Sequence, residues 1–259
     1  MSGNDPWNHL RRFTDARIGL GRSGAGMPTR EVLDFTFAHA MARDAVLTPL
    51  DWPGVEKSLA DLNYRTVRVS SAVQDRAEYL RRPDLGRKLS AASRDDLAAL
   101  GATLKSRPDV AIVIGDGLSS KAVAANIAPF LSSFAPYVKK KAWTLSPLVL
   151  AHNARVALGD DVAEVLSVKS VIVLIGERPG LSSPDSLGAY LTFAPRVGFN
   201  DANRNCISNI RARGLSYGEA AFKLAWLLDQ AFKRKLSGVN LKDEAGAGIE
   251  GKLGPELLG

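Results

Sequence analysis

The sequence predicts an α/β fold, in which a small N-terminal helical domain is followed by a Rossmann-like parallel sheet covered by helices. Three observations carry that prediction. From Pro108 onward, short apolar runs rich in β-branched residues alternate with helical segments, the pattern of a parallel sheet buried on both faces. Before Pro108, helix start signals and 3.6-residue periodicity dominate. A chain of 259 residues, 46% of them hydrophobic, can also bury a substantial core. The expected division is a mainly helical region at 1–105, a sheet domain at 106–242 and a disordered, Gly- and Glu-rich tail at 243–259.

Asp5-Pro6 reads as an N-cap with proline at the first helical position, so a helix is expected from Trp7 to about Thr14. A glycine-rich bend follows. A second helix is expected to begin near Thr29, its apolar residues Leu33, Phe37, Ala40 and Met41 forming the stripe of a helix that lies on a core. It should end before Asp51-Trp-Pro-Gly54. Residues 55–107 are mixed, with an alternation at Thr66–Val69, a turn at Arg82-Pro-Asp84 and a polar helix around Ser93–Lys105.

The strands expected in the sheet are Val110–Ile114, Leu148–Ala151, Val171–Ile175 and Tyr190–Phe193. Ser119 or Ser120 can cap a helix running toward Phe134, and Val156–Leu166 has helical character with Gly159 as its weak point. The clearest helix is the last. Leu215-Ser-Tyr-Gly-Glu219 is a capping box, Lys233-Arg-Lys235 sits where the helix dipole favours cations, and Gly238 is the expected stop.

Composition excludes several function classes. Cys206 is the only cysteine, which rules out an intrachain disulfide and a cysteine-cluster metal site and favours a reducing, cytoplasmic setting. No apolar run is long enough to span a membrane, and the start lacks the layout of a secretory signal. The net charge of +7 would suit nucleic acid, but the basic residues are scattered and lack interleaved aromatics, so no nucleic-acid partner is expected.

Gly19-Leu-Gly-Arg-Ser-Gly24 matches G-x-G-x-x-G, yet it follows a helix and is separated from the next by Met27-Pro28. It therefore reads as a connector, not a phosphate loop. Two other loops stand at the carboxyl ends of expected parallel strands, the edge where open α/β sheets bind ligands. They are Gly115-Asp116-Gly117-Leu118-Ser119 and Gly176-Glu177-Arg178-Pro179-Gly180, each holding a carboxylate between glycines. Asp116 is open to two readings, as a ligand contact, or as the maker of a turn or cap of the following helix. Glu177, directly after an apolar strand, points to a binding role because burying a carboxylate without donors is costly. His9, His39 and His152 show no metal-binding spacing, and no nucleophile elbow or P-loop is present, so no self-sufficient reaction machinery is expected. Cys206, beside an apolar residue, reads as a packed thiol.

Six strings, Ala16-Arg-Ile-Gly-Leu-Gly-Arg22, Arg82-Pro-Asp-Leu-Gly-Arg87, Asp116-Gly-Leu-Ser119, Glu177-Arg-Pro-Gly-Leu-Ser-Ser-Pro-Asp-Ser-Leu187, Arg204-Asn-Cys-Ile-Ser-Asn-Ile210 and Leu236-Ser-Gly-Val-Asn-Leu-Lys242, occur in this order. Together they resemble the light subunit of ethanolamine ammonia-lyase from about Asp5 to Lys242. The resemblance implies a subunit of an enzyme that converts ethanolamine to acetaldehyde and ammonia by a radical mechanism. It implies adenosylcobalamin bound at the interface with a large catalytic subunit, in a hexamer of heterodimers. It also implies that Val156, Glu177 and Cys206 contact the cobalamin, while substrate and radical are handled mainly by the large subunit.

No histidine lies in an Asp-x-His-x-x-Gly string, so the cofactor is expected to keep its own dimethylbenzimidazole on cobalt. Ala154 departs from a glycine that often precedes the Arg-Val pair in the family. Encapsulated relatives often carry a long N-terminal extension, whereas the family-like region here starts almost at Met1, so free cytoplasmic enzyme is preferred over a bacterial microcompartment. Two other function classes compete: a non-catalytic cobalamin-binding or scaffold module, and an autonomous nucleotide-binding enzyme, which Gly19–Gly24 does not equip.

Overall fold

A computed structural model describes residues 6–14 and 16–245. The expected N-cap Asp5 and residues 246–259 of the expected tail lie outside the described residues. Residues 243–245 run along the last helix, where Asp243 pairs with Lys223 at 3.2 Å and Ala245 is buried.

The core element is a six-stranded sheet. In chain order its strands are β1 (Thr66–Ser70), β2 (Val110–Gly115), β3 (Leu148–His152), β4 (Ser170–Gly176), β5 (Leu187–Phe193) and β6 (Asn205–Ile210), and in space they run β1-β3-β2-β4-β5-β6. The first four strands in that spatial order are mutually parallel, β5 runs antiparallel to β4, and β6, antiparallel to β5, points the same way as the first four. Every residue of β2 and β4 is buried, which explains their uninterrupted apolar runs.

Two expectations need correction here. The strand around Tyr190–Phe193 exists but runs antiparallel to β4, because residues 177–186 are too few for the crossover of about a dozen or more residues that a parallel neighbour requires. β6 went unread because Asn205-Cys-Ile-Ser-Asn-Ile is a polar edge strand with only Ile207 and Ile210 buried.

Helices α1 (Thr29–Leu47), α2 (Trp52–Asp61), α3 (Arg76–Arg81), α4 (Ala91–Thr103), α5 (Ser120–Lys140), α6 (Leu158–Leu166) and α7 (Tyr217–Arg234) complete the fold. One face of the sheet is covered by α2, α5 and α7 and the other by α4 and α6, giving two cores on either side of the strands. The chain leaves β2 through α5 to reach β3, then returns through α6 past β2 to β4. The loops that follow β2 and β3 therefore leave toward opposite faces of the sheet, α5 belonging to one core and α6 to the other, which opens a crevice at the carboxyl ends of the strands.

Local signals account for the helix boundaries. Ser119 Oγ accepts from Ala122 N at 3.2 Å and caps α5. The capping box of α7 is formed, with Glu219 N donating to Ser216 Oγ and Ser216 N to Glu219 Oε2, both at 3.3 Å. That helix ends before Gly238, since Lys235 already adopts a left-handed conformation at φ 59°. Helix α2 is an addition to the expected elements. Asp51 caps it and Pro53 occupies its first turn, so the string that looked like a stop is also a start.

The N-terminal segment Pro6–Phe13 forms a 3-10 helix. Helix α1 departs further from expectation. Its stripe does not lie on this chain's core, for Leu33 is 63% and Phe37 68% exposed, and only Ala45 is buried. The periodicity is present, but the stripe faces away from the sheet and its helices. Among the described residues no helix is long and apolar enough to cross a membrane.

Candidate functional site

The two glycine-flanked loops singled out in the sequence meet. Leu118 N–H donates to Gly176 O at 2.9 Å, where the loop after β2 crosses the end of β4. Gly117 has φ +58°, and a Cβ placed there would run into the Gly176 carbonyl, while one on Gly176 would run into Ser119 O. Both glycines are thus required by close backbone approach.

Beside this crossing lies an open cleft of about 680 Å³. Glu177 stands on its wall. Its backbone N–H donates to Ser186 O at 3.0 Å, and its Oε2 accepts from the Ser186 hydroxyl and, at 3.2 Å, from Asn209 N. Among the described residues no hydrogen bond reaches Oε1. One carboxylate oxygen is therefore anchored, and the other is left as an acceptor at the cleft.

Asp116 does not cap α5, a role that Ser119 takes, and instead anchors a segment distant in the chain. Its carboxylate is buried and accepts from Asn153 N at 3.0 Å and Ala154 N at 3.1 Å, with the Arg76 guanidinium 3.9 Å away. Burial pushes its pKa up, against the lowering by those backbone donors and Arg76. Asp116 thus holds the turn between β3 and α6 and does not line the cleft.

That turn carries Arg155 and Val156, which both line the cleft. Tyr79 braces it from behind, since its hydroxyl donates to Ala154 O at 3.1 Å and its ring lies 4.2 Å from the Arg155 guanidinium carbon. Arg155 also donates from Nη2 to Tyr79 O at 3.2 Å and from its backbone to Gly86 O at 2.7 Å. Burial raises the Tyr79 pKa to about 12, so the phenol keeps the proton it donates. Ala154 is fully buried and packs toward Gly115, whose lack of a side chain leaves room for its methyl group.

Cys206 is not among the residues lining the cleft. It pairs across the sheet with Tyr190, which does line it, and the residue is exposed. Although the residue as a whole is exposed, local desolvation of its thiol beside the sheet pushes the pKa up, outweighing the lowering by the Tyr190 hydroxyl. The thiol stays protonated and weakly nucleophilic.

Sequence reasoning missed the cleft's arginines. Arg155, Arg178 and Arg211 come from the β3–α6 turn, the β4–β5 loop and the residue after β6, and nothing in their spacing announces that they line one cleft. The histidines have other settings. His152 packs its ring, tilted, against Trp52 at 4.4 Å and burial lowers its pKa, and His39 stacks on Phe35 at 6.4 Å. Gly19, Gly21 and Gly24 all have positive φ in the connector before α1, and among the described residues no strand feeds it. Among the described residues no group of three or more His, Cys, Asp or Glu could hold a metal ion.

Residues 4–242 match the family described as "Ethanolamine ammonia-lyase light chain (EutC)". The chain belongs to that family. Among its relatives, the "Ethanolamine ammonia-lyase small subunit" of Pseudomonas fluorescens (strain SBW25) is 50% identical over 242 residues, covering 93% of this chain and 87% of that one. The protein of the same name from Pseudomonas aeruginosa (strain LESB58) is 51% identical over 244 residues, covering 94% and 89%. The chain is thus a small subunit of a lyase.

For this light chain, five of the six strings that carried the resemblance are joined in space, while Ala16–Arg22 lies in the connector before α1. Glu177–Leu187 contributes to the lining of the cleft, Arg204–Ile210 contains β6, and Asp116–Ser119 makes the loop crossing. Gly86, from the Arg82–Arg87 string, anchors Arg155. Ser237, from the last string, accepts from Phe193 N at 2.9 Å and donates to Asn203 O at 2.7 Å, which ties β5 to the approach to β6.

Proposed function

We propose that this small subunit presents its cleft to adenosylcobalamin and that, joined to a large subunit, it completes an ethanolamine ammonia-lyase that converts ethanolamine to acetaldehyde and ammonia. The observation that carries the reading is Glu177, with Oε2 fixed by Ser186 and Asn209 and Oε1 available as an acceptor. A corrin rim carries primary amides whose N–H groups such an oxygen can accept. Val156 supplies an apolar wall, and the protonated Cys206 a packing contact at the rim beside Tyr190.

When bound, the cofactor supplies a carbon radical able to take hydrogen from a saturated substrate. This chain's residues bind and orient. Among the described residues that line the cleft, Glu177 is the one carboxylate and neither histidine nor cysteine occurs, so in this reading the large subunit handles substrate. Pockets of about 300–1,000 Å³ enclose drug-sized ligands. A corrinoid is much larger than those, so an open cleft of this size suits one side of it, with the large subunit covering the other.

The exposed apolar face of α1 supports the same incompleteness, and we assign it to contact with the large subunit. The proposed assembly is a hexamer of such heterodimers in the cytoplasm, a setting that suits a single unpaired cysteine.

Reconstitution tests the reading. The purified chain should release no acetaldehyde from ethanolamine, and mixing it with the large subunit and adenosylcobalamin should produce turnover. Turnover by the chain alone would refute the division of labour. Cobalamin binding without turnover in the mixture would favour a non-catalytic binding module instead.

A further inference from the structure

The cleft's charges are unbalanced. Arg155, Arg178 and Arg211 line it together with a single carboxylate, Glu177, whose hydrogen-bond partners are Ser186 and Asn209. Among the described residues, Arg155 has no carboxylate partner, and its Nε is buried without a hydrogen bond. Its guanidinium plane is held in place by the Tyr79 ring and carbonyl. A buried, unpaired charged donor is costly to keep unless something accepts from it.

Arg178 is exposed on the β4–β5 loop with no ion pair or hydrogen bond among the described residues. Arg211 is 7% exposed and is only loosely neutralised. Its Nε donates to Asn209 Oδ1 at 2.9 Å, and its Nη1 lies 3.9 Å from Asp185. Ser182 and Ser183 add hydroxyls to the same wall. Three guanidiniums with spare donors and neighbouring hydroxyls make a receptor for a tetrahedral oxyanion, because the planar fork matches phosphate geometry.

Resting on the cobalamin reading above, we propose that these arginines take the phosphodiester of the cofactor's nucleotide loop. Most of the cobalamin periphery is neutral amide, and the phosphodiester is its one anionic group. Glu177 reads the amide rim and the arginines read the phosphodiester. The division also orients the ligand, since the acceptor and the donors stand on the same cleft but match different ends of the molecule.

The test uses the assembled enzyme and two stable corrinoids, cyanocobalamin and dicyanocobinamide, the second of which lacks the phosphodiester and its base. Bound corrinoid is read by visible absorbance after ultrafiltration. Arg155→Gln should weaken cyanocobalamin about tenfold, the scale of removing one charged hydrogen bond, and leave dicyanocobinamide unchanged. Arg155 also braces Tyr79, so Arg178→Gln, which removes no internal contact, provides a second variant with the same selectivity and a smaller effect.

Equal losses for both corrinoids, or no loss for either, would overturn the phosphodiester assignment. Weakened subunit assembly with unchanged cofactor affinity would overturn it too, and would give the arginines to the large subunit. If dicyanocobinamide binds below detection, salt dependence decides. Cyanocobalamin affinity should fall with ionic strength in the wild type and fall less in Arg178→Gln, and identical slopes would overturn the assignment. A wild-type assembly that binds neither corrinoid would instead refute the cobalamin reading itself.

Discussion

Asp160 of α6 and Arg204, just before β6, form a two-pronged ion pair at 2.7 and 2.6 Å, with both side chains 2% exposed. Gly159 makes this possible, because a Cβ there would strike Val173 and push α6 off the sheet. Arg204 also reaches Thr192 at 3.1 Å and Phe199 O at 3.0 Å, joining α6, β5 and the loop ahead of β6. Burial pushes the Asp160 carboxyl up, and the paired guanidinium pulls it back down. Arg204→Met should therefore cost about 3–5 kcal/mol by leaving a buried carboxylate unpaired. Urea unfolding of the isolated chain measures this, and a cost below about 1 kcal/mol would show that the pair does not hold these elements together.

The loop crossing at Gly117 and Gly176 makes a second demand on the backbone. Gly176→Ala places a methyl against Ser119 O, and the chain must move β4 or the α5 cap to relieve it. The expected destabilisation is at least about 1–3 kcal/mol, with a further drop in corrinoid affinity in the assembled enzyme, since Glu177 follows directly. Denaturant midpoints and cofactor titration check the two effects separately.

Acid stability should depend on Asp109. This carboxylate receives Lys169 Nζ at 2.7 Å, Thr144 N at 2.9 Å and Thr144 Oγ1 at 2.8 Å, joining the ends from which β2, β3 and β4 begin. Burial raises its pKa, but Lys169 and Thr144 together outweigh that and hold it below the usual range. A lowered folded-state pKa stabilises the protein above the unfolded value, and that stability is lost as pH falls through the folded value, here below about pH 4. Urea midpoints between about pH 2 and 6 should fall less steeply in Asp109→Asn than in the wild type. Parallel curves would remove Asp109 from the acid response.

How much of this was legible depends on where burial lies. β2, β3 and β4 showed in the sequence because burial on both faces forces apolar runs. β6 did not, since an edge strand needs only Ile207 and Ile210 on one face. Glu177 was visible as a carboxylate after a buried strand, whereas Asp116, in a similar setting, proved to hold a turn. Composition could not separate the two, because the difference lies in which backbone N–H groups each meets. Val156 and Cys206 were named only through family resemblance. The arginines escaped notice because topology, not spacing, joins residues 155, 178 and 211. The stripe on α1 was read correctly as a pattern, but periodicity does not say which chain covers it.

That stripe yields a prediction about assembly. Phe37→Asp places a charge on an exposed surface of the lone chain, so its melting temperature should stay unchanged. Affinity for the large subunit should fall at least about tenfold, as when a central apolar anchor is removed from an interface. Analytical ultracentrifugation of the mixture reads the effect, and undiminished assembly would remove α1 from the interface.

The most direct measurement is cyanocobalamin affinity of the assembled enzyme with Glu177→Gln. The glutamine carbonyl can replace Oε2 against Ser186 and Asn209, which turns the NH₂ toward the cleft, where amide donors need an acceptor. The account predicts a loss of about 1–3 kcal/mol in affinity with the subunit assembly intact. Unchanged affinity in an intact assembly would contradict it and remove Glu177 from the cofactor site.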